Sequence, residues 1–287
     1  MFTTYVKSFV GVAIILLLAI PFPTGAEVEW KIKNTLKTGQ PPLDVAVSAD
    51  GKSIFVLTVD GSILIYESKG QLKDTIKVGA HIDQIRVGPG GEQLYATSRQ
   101  NQTVEVIALN FIHNINLTGS PSKGRTDAPV IVAVFSDFQW GYCAQLVPQL
   151  EQLLEKYPTD VRVVFKNFPI RSHKYAYKAA MAALAAGHQD KFWEFHDQLF
   201  KNYNRLNDQK IQEISIELGL DQTKFSEHQK SPVEAARIRK DYEEGIRLGV
   251  RGTPTIFING KKLKNRSMQA MEANIQQELK AGKAQKE

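Results

Sequence analysis

A strand that feeds directly into a helix constrains this chain more than anything else in it. Val130–Phe135 is an unbroken apolar, β-rich run, the pattern of a strand covered on both faces. Phe135-Ser136-Asp137-Phe138-Gln139-Trp140-Gly141-Tyr142-Cys143 follows. From Cys143 the apolar residues recur at helical spacing through Leu146, Val147, Leu150, Leu153, Leu154 and Tyr157. Cys143, the only cysteine of the 287 residues, therefore falls in the first turn of an amphipathic helix.

Strand–helix alternation continues from Ala128 to the C-terminus. Val161–Asn167 is expected as a second buried strand, ended by Phe168-Pro169. Helices are expected at His173–His188, Lys191–Asn202 and Asp208–Leu218, the last stopped by Gly219, with shorter pieces as far as Gly249. The chain then returns to β structure at Thr255–Ile258. Asn259-Gly260 is a two-residue hairpin turn, and Lys261–Leu263 is the return strand. Ser267 caps a final helix with Met271, Ile275 and Leu279 on one face.

The region before Ala128 reads differently. Thr35-Leu36-Lys37-Thr38-Gly39 is echoed by Thr75-Ile76-Lys77-Val78-Gly79 and by Ile115-Asn116-Leu117-Thr118-Gly119, at a spacing of forty residues (Gly39, Gly79, Gly119). Each unit offers four short strands, in the first Leu43–Ser48, Ser53–Thr58, Ser62–Glu67 and Leu72–Val78. Asp50-Gly51 and Asp60-Gly61 serve as hairpin turns. A further strand, Val28–Lys37, precedes them. This period with four strands per unit resembles a β-propeller blade of the WD or YVTN type. Two units are fewer than a propeller needs, so the expectation is a small closed β-unit, or a blade pair packed on the second domain, a second copy or a partner. Gly119-Ser120-Pro121-Ser122-Lys123-Gly124-Arg125-Thr126-Asp127 is turn-rich and reads as the boundary. The expected organisation is a targeting segment at 1–26, a β-repeat domain at 27–118, a linker at 119–127 and an α/β domain at 128–287.

The targeting segment rests on Lys7, the only charge before Glu27, an apolar run from Phe9 to Ile20 and the small residue Ala26. That order is a secretory signal peptide, too short for a comfortable membrane span; an uncleaved N-terminal anchor is the alternative. With 43% hydrophobic and 23% charged residues the chain is ordinary globular protein. The net charge of +6 is mild and unclustered, apart from Lys261, Lys262, Lys264 and Arg266 beside a turn, so no nucleic-acid footprint is expected. An exported chain enters an oxidising compartment, yet a single cysteine permits no internal disulfide.

The stretch from Phe135 to Cys143 resembles the active site of DsbA-like thiol-disulfide oxidoreductases, which typically reads Phe-Ser-Asp-Phe-Gln-Cys-Pro-Tyr-Cys. Gly124–Val130, Lys191-Phe192-Trp193-Glu194-Phe195-His196-Asp197 and Gly252-Thr253-Pro254-Thr255 also resemble that family, so the likeness runs over 124–281. It implies a thioredoxin-like α/β fold with a helical insertion, preceded here by the small all-β repeat domain. In such enzymes the first cysteine sits at the helix N-terminus, where the dipole and free N–H groups favour the thiolate, and the second resolves the mixed disulfide. Here the resemblance places Trp140 where the nucleophile would be and Cys143 in the resolving position. Gly141 replaces the intervening proline, and Val134 the acid that members carry six residues before the first cysteine. Thr253-Pro254 is implied as the cis-proline loop facing the cysteine site, offering backbone to an extended substrate.

Three departures at one site point to a domain without dithiol chemistry, in which Trp140, Gly141, Tyr142, Thr253 and Pro254 bind extended polypeptide. Cys143, lying on the apolar stripe, is first read as a buried small hydrophobe. Two alternatives stay open: an envelope thiol-disulfide oxidoreductase or isomerase working through Cys143, and an interaction protein of an envelope complex acting through its β-repeats. The expected partners are extracytoplasmic polypeptide clients, with an envelope partner or self-association through the β-repeats. The location is periplasmic or extracytoplasmic, with no membrane span after signal cleavage. No cofactor or metal is expected, since none of His81, His113, His173, His188, His196 and His228 sits in a ligating pattern; His188 and His196 are read as surface or hydrogen-bonded structural residues.

Overall fold

The computed structural model describes residues 28–284, so the targeting segment expected at 1–26 lies outside the described residues. The chain separates into two compact units, one running through Ile85 and including Thr97–Thr103, the other comprising Arg86–Ala96 and everything from Val104 onward.

In the first unit β1 (Pro42–Val47), β2 (Ser53–Thr58), β3 (Ser62–Glu67) and β4 (Leu72–Lys77) form an antiparallel meander in sequence order. The Asp-Gly turns hold as expected. Asp60 accepts from the hydroxyls of Thr58 (2.6 Å) and Ser62 (2.9 Å), which close the hairpin through side chains. Those hydroxyls hold its carboxyl below the usual range. Phe55, Leu57 and Ile63 are fully buried, and Val56, Leu64 and Tyr66 pack with Ile54 and Leu36. The strand expected at Val28–Lys37 does not form. Its second half is instead tied down by side chains, Asn34 donating to Lys69 O and the Tyr66 hydroxyl donating to Lys37 O, both at 2.9 Å.

The second repeat yields three strands, β5 (Gln84–Val87), β6 (Gln93–Ser98) and β7 (Thr103–Ala108), in a sheet of that order. The forty-residue offset carries β2 onto β6 residue for residue. It fails at the fourth strand. Residues 112–118, expected to repeat β4, are drawn onto the α/β sheet: Ile112 bridges Lys261, His113 N donates to Gly260 O (2.9 Å) and Asn116 N to Glu244 Oε1 (2.8 Å). The propeller likeness is accordingly corrected. Among the described residues the β region forms separate antiparallel sheets, with no closed barrel or propeller.

The α/β part is a five-stranded sheet in the order β12-β11-β9-β10-β8. β9 (Val130–Ser136) and β10 (Val161–Asn167) run parallel at its centre, joined by α1 (Gly141–Lys156). β11 (Thr255–Ile258) lies antiparallel on β9, and β12 (Lys261–Lys262) closes the hairpin. β8 (Ser122–Gly124), inside the stretch expected as a linker, is a short edge strand on β10. The Asn259-Gly260 turn needs both residues at positive φ (46° and 78°), and a Cβ at Gly260 would fall 2.2 Å from His113 O.

Between β10 and β11 stand α2 (Ala176–Gly187), α3 (Phe192–Lys201), α4 (Asp208–Glu217), α5 (Gln222–Gln229) and α6 (Pro232–Arg247); α7 (Met268–Ala284) ends the described chain. No helix among the described residues is long and apolar enough to cross a membrane. The buried alanines of α2 bring its neighbours close, and Phe195, Leu199 and Phe225 fill the layer around it. His196, read as structural, is buried among Phe138, Phe165 and Phe200, where burial pushes its imidazole down. α6 is one long helix where only shorter pieces were expected. Ser231 caps it and Pro232 starts it. Its buried positions are Glu234, Ile238, Asp241, Glu244 and Gly245, a helical spacing occupied mostly by polar residues. Lys166 of β10 explains two of them, since its buried ammonium reaches Asp241 (2.5 Å) and Glu244 (3.0 Å) and donates to Asn116 O (2.8 Å).

Candidate functional site

β9 delivers the chain to the start of α1 through Asp137, Phe138 and Gln139, and each has a task. Phe138 stacks on Phe165 (4.9 Å, 24°) and anchors the loop in the core. Gln139 Oε1 accepts from Tyr175 N at 2.7 Å. Asp137 is buried, and its oxygens accept from Gln139 N (2.7 Å), Ile170 N (2.6 Å) and His173 Nδ1 (3.0 Å). One carboxylate thus ties the segment after β10 to the helix start. A buried charge needs such satisfaction.

Trp140 is the N-cap of α1, in extended conformation and with no side-chain cap. Its carbonyl accepts from Cys143 N (3.0 Å) and Ala144 N (3.1 Å). Its indole stacks on His173 (5.4 Å, 29°) and lies 5.3 Å from the ring of Tyr142, which is 59% exposed. Cys143 is 1% exposed, and its sulfur accepts weakly from Asp137 N at 3.5 Å. Burial pushes the thiol up; the Ser136 and Thr253 hydroxyls and the Asp137 N–H pull it down and do not offset burial. Val134, at the position of the family's acid, is a core residue with Val132, Leu146 and Leu153. Thr253–Pro254 is a cis peptide, as the resemblance implies. Both residues are buried, and Thr253 Oγ1, although it acts on the Cys143 thiol, makes no hydrogen bond of ordinary geometry.

Trp140, Gly141 and Tyr142 line a groove of about 530 Å³ together with His173, Lys174 and Tyr203. Thr253 and Pro254 do not line it. A second depression of about 420 Å³ runs beside Gly252, and Ser172 belongs to both. The structure therefore joins three of the expected binding residues in one wall and leaves the cis-proline pair beneath the surface. Sequence reasoning missed Tyr203, Ser172 and Lys174, which carry no motif. Tyr203 explains Gly141: a Cβ there would stand 3.1 Å from the tyrosine ring. Among the described residues no cluster of His, Cys, Asp or Glu has the makings of a metal site.

A central β9–α1–β10 unit, an antiparallel hairpin after a cis-proline and a helical insertion between them define a thioredoxin-like domain with the fold of DsbA-like thiol-disulfide oxidoreductases. The chain belongs to the thioredoxin family, whose model, described as Thioredoxin, matches residues 117–277. It is similar in structure to a thioredoxin-like oxidoreductase from Silicibacter pomeroyi, with 25% identity, 59% of this chain and 94% of that chain covered, and a TM-score of 0.51. The thiol-disulfide exchange protein alpha-DsbA2 from Wolbachia pipientis shares the fold at 22% identity, covering 56% of this chain and 87% of that one with a TM-score of 0.51. In sequence the chain is 38% identical over 141 residues to the Na(+)/H(+) antiporter NhaA 3 of Salinispora tropica, covering 49% of this chain and 22% of that protein. It is 26% identical over 218 residues to NhaA 1 of Mycolicibacterium vanbaalenii, covering 75% and 35%. The chain thus spans about a fifth to a third of the length of these curated relatives.

Proposed function

We propose that this is an exported DsbA-like protein that holds extended polypeptide at the Trp140 groove and performs no dithiol turnover. The observation that carries the reading is the exchange at the start of α1. An indole occupies the nucleophile's place and walls an open groove, while the chain's one thiol is buried. A dithiol enzyme stores its oxidising equivalents as an internal disulfide; it passes them on when the first thiolate is released from a mixed disulfide by the second. One cysteine has no partner for either step. Trp140 and Tyr142 instead offer aromatic contact area, and backbone near Gly252 lies along the adjoining depression. In this reading the protein works outside the cytoplasm after loss of residues 1–26. The β region that precedes the α/β domain supplies a second surface, for an envelope partner or a second copy.

The test is catalytic and binding together. Insulin reduction and peptide oxidation are measured for the parent and for Cys143→Ala, and labelled unstructured peptides are titrated against both and against Trp140→Ala. No turnover, with peptide binding retained in Cys143→Ala and weakened in Trp140→Ala, is the expected result. Multiple turnovers that vanish in Cys143→Ala overturn the reading.

A further inference from the structure

We propose that the groove selects an acidic polypeptide segment and seats one of its aromatic side chains against Trp140 and Tyr203. This rests on the polypeptide-binding reading above and names the class of client.

Three observations carry it. The first is the shape of the groove wall. Three rings, Trp140, Tyr142 and Tyr203, line the same space, and Gly141 between the first two has no Cβ to keep Tyr203 away. A flat apolar side chain entering there meets ring faces and edges, the arrangement in which aromatic pairs gain most. The indole is held in place from behind: it stacks on His173, which Asp137 fixes, so little ordering is left to the moment of binding.

The second observation is charge. Lys174 lines the groove, and Arg171 and Arg251 line the adjoining depression. All three are exposed, and none forms an ion pair among the described residues. No aspartate or glutamate lines either hollow. Asp137 lies behind His173, buried, with its oxygens taken by the Gln139 and Ile170 N–H groups and by His173. Cations that face no carboxylate, Lys174 resting only on the Tyr175 ring at 5.2 Å, favour an anionic partner and repel a basic one.

The third is continuity. Ser172 lines both hollows, so the ring-walled groove and the arginine-flanked depression adjoin at that residue. A segment lying along them meets Lys174 at one part and Arg171 and Arg251 at another. A carboxylate in either hollow therefore finds a cation.

The experiment titrates the full chain with three labelled, unstructured peptides of equal length: acidic with one Tyr, acidic without an aromatic, and basic with one Tyr. Anisotropy is read at low and at high salt. The acidic Tyr peptide should bind at least about tenfold tighter than the basic one, and most of that advantage should vanish at high salt. Lys174→Gln and Arg171→Gln should each weaken acidic peptides up to about fivefold. Tyr203→Ala should remove the preference for the Tyr peptide, and Tyr203→Phe should keep it. Binding without charge preference, or Tyr discrimination that survives Tyr203→Ala in a folded variant, refutes this inference and leaves the polypeptide-binding reading standing. Failure of all three peptides to bind refutes that reading, and this one with it.

Discussion

Replacing Trp140 by cysteine tests the placement of the site most directly. The substitution puts a thiol at the N-cap of α1, three residues before Cys143. Two Cα atoms so spaced at a helix start stand about 5–6 Å apart, inside the range a disulfide spans. The new thiol sits where the N–H groups of the first turn have no helical acceptor and where Trp140 now touches His173, so its pKa should fall below the ordinary thiol range. That of Cys143 stays raised by burial. The new sulfur is therefore the attacking one and Cys143 the resolving one. Losing the indole removes its contacts with His173 and Tyr142, at a cost of about 1–3 kcal/mol. Closing the 140–143 loop returns about 2 kcal/mol on chain-entropy arithmetic. The oxidised variant should then melt close to the parent, and the reduced variant about 4–8 °C below the oxidised one. Thiol titration and intact mass report the bond, thermal melting with and without reductant reports the difference, and insulin reduction reports turnover. Activity should appear but stay below that of a complete site, because Val134 supplies no acid. If the oxidised variant retains two free thiols, the argument placing the site at this helix start fails.

Three further outcomes are expected. Lys166→Met strands the carboxylates of Asp241 and Glu244 in the core, and urea denaturation should register a loss of about 3–5 kcal/mol; a loss under 1 kcal/mol would mean that water reaches the triad. Burial raises the Cys143 thiol above its unfolded value, so its contribution to stability is full below the ordinary thiol range and declines as pH rises through the folded value. The parent should therefore lose stability relative to Cys143→Ala as pH rises above about 8.5, the ordinary thiol value, and parallel curves for the two in alkaline solution would refute the burial argument. A fragment of residues 27–118 lacks the α/β sheet that residues 112–118 join and ends its sheets in open edges, so it should self-associate in sedimentation runs; a cooperatively melting monomer would contradict this.

Much of the fold was legible because its signals are local. β2, β3, β10 and β11 run from first residue to last as the apolar runs and turn residues foretold, since Asp-Gly and Asn-Gly turns and short apolar runs are decided within a few residues. The sequence alone also determines that no internal disulfide exists, because that needs only a count of cysteines. What it left open depended on distant partners. Residues 112–118 stand where the forty-residue offset would repeat 72–78, yet they leave their repeat because Gly260 and Glu244 offer hydrogen bonds elsewhere. α6 hid its inward face because most of that face is acids, which are tolerable in a core only where basic groups meet them, Lys166 at Asp241 and Glu244 and Arg237 at Glu234. The groove was likewise out of reach. Trp140, Ser172 and Tyr203 are separated by tens of residues, and no periodicity links them. Asp137 draws the segment around His173 onto the helix start, and Gly141 lets Tyr203 approach; only the folded chain brings those contacts together.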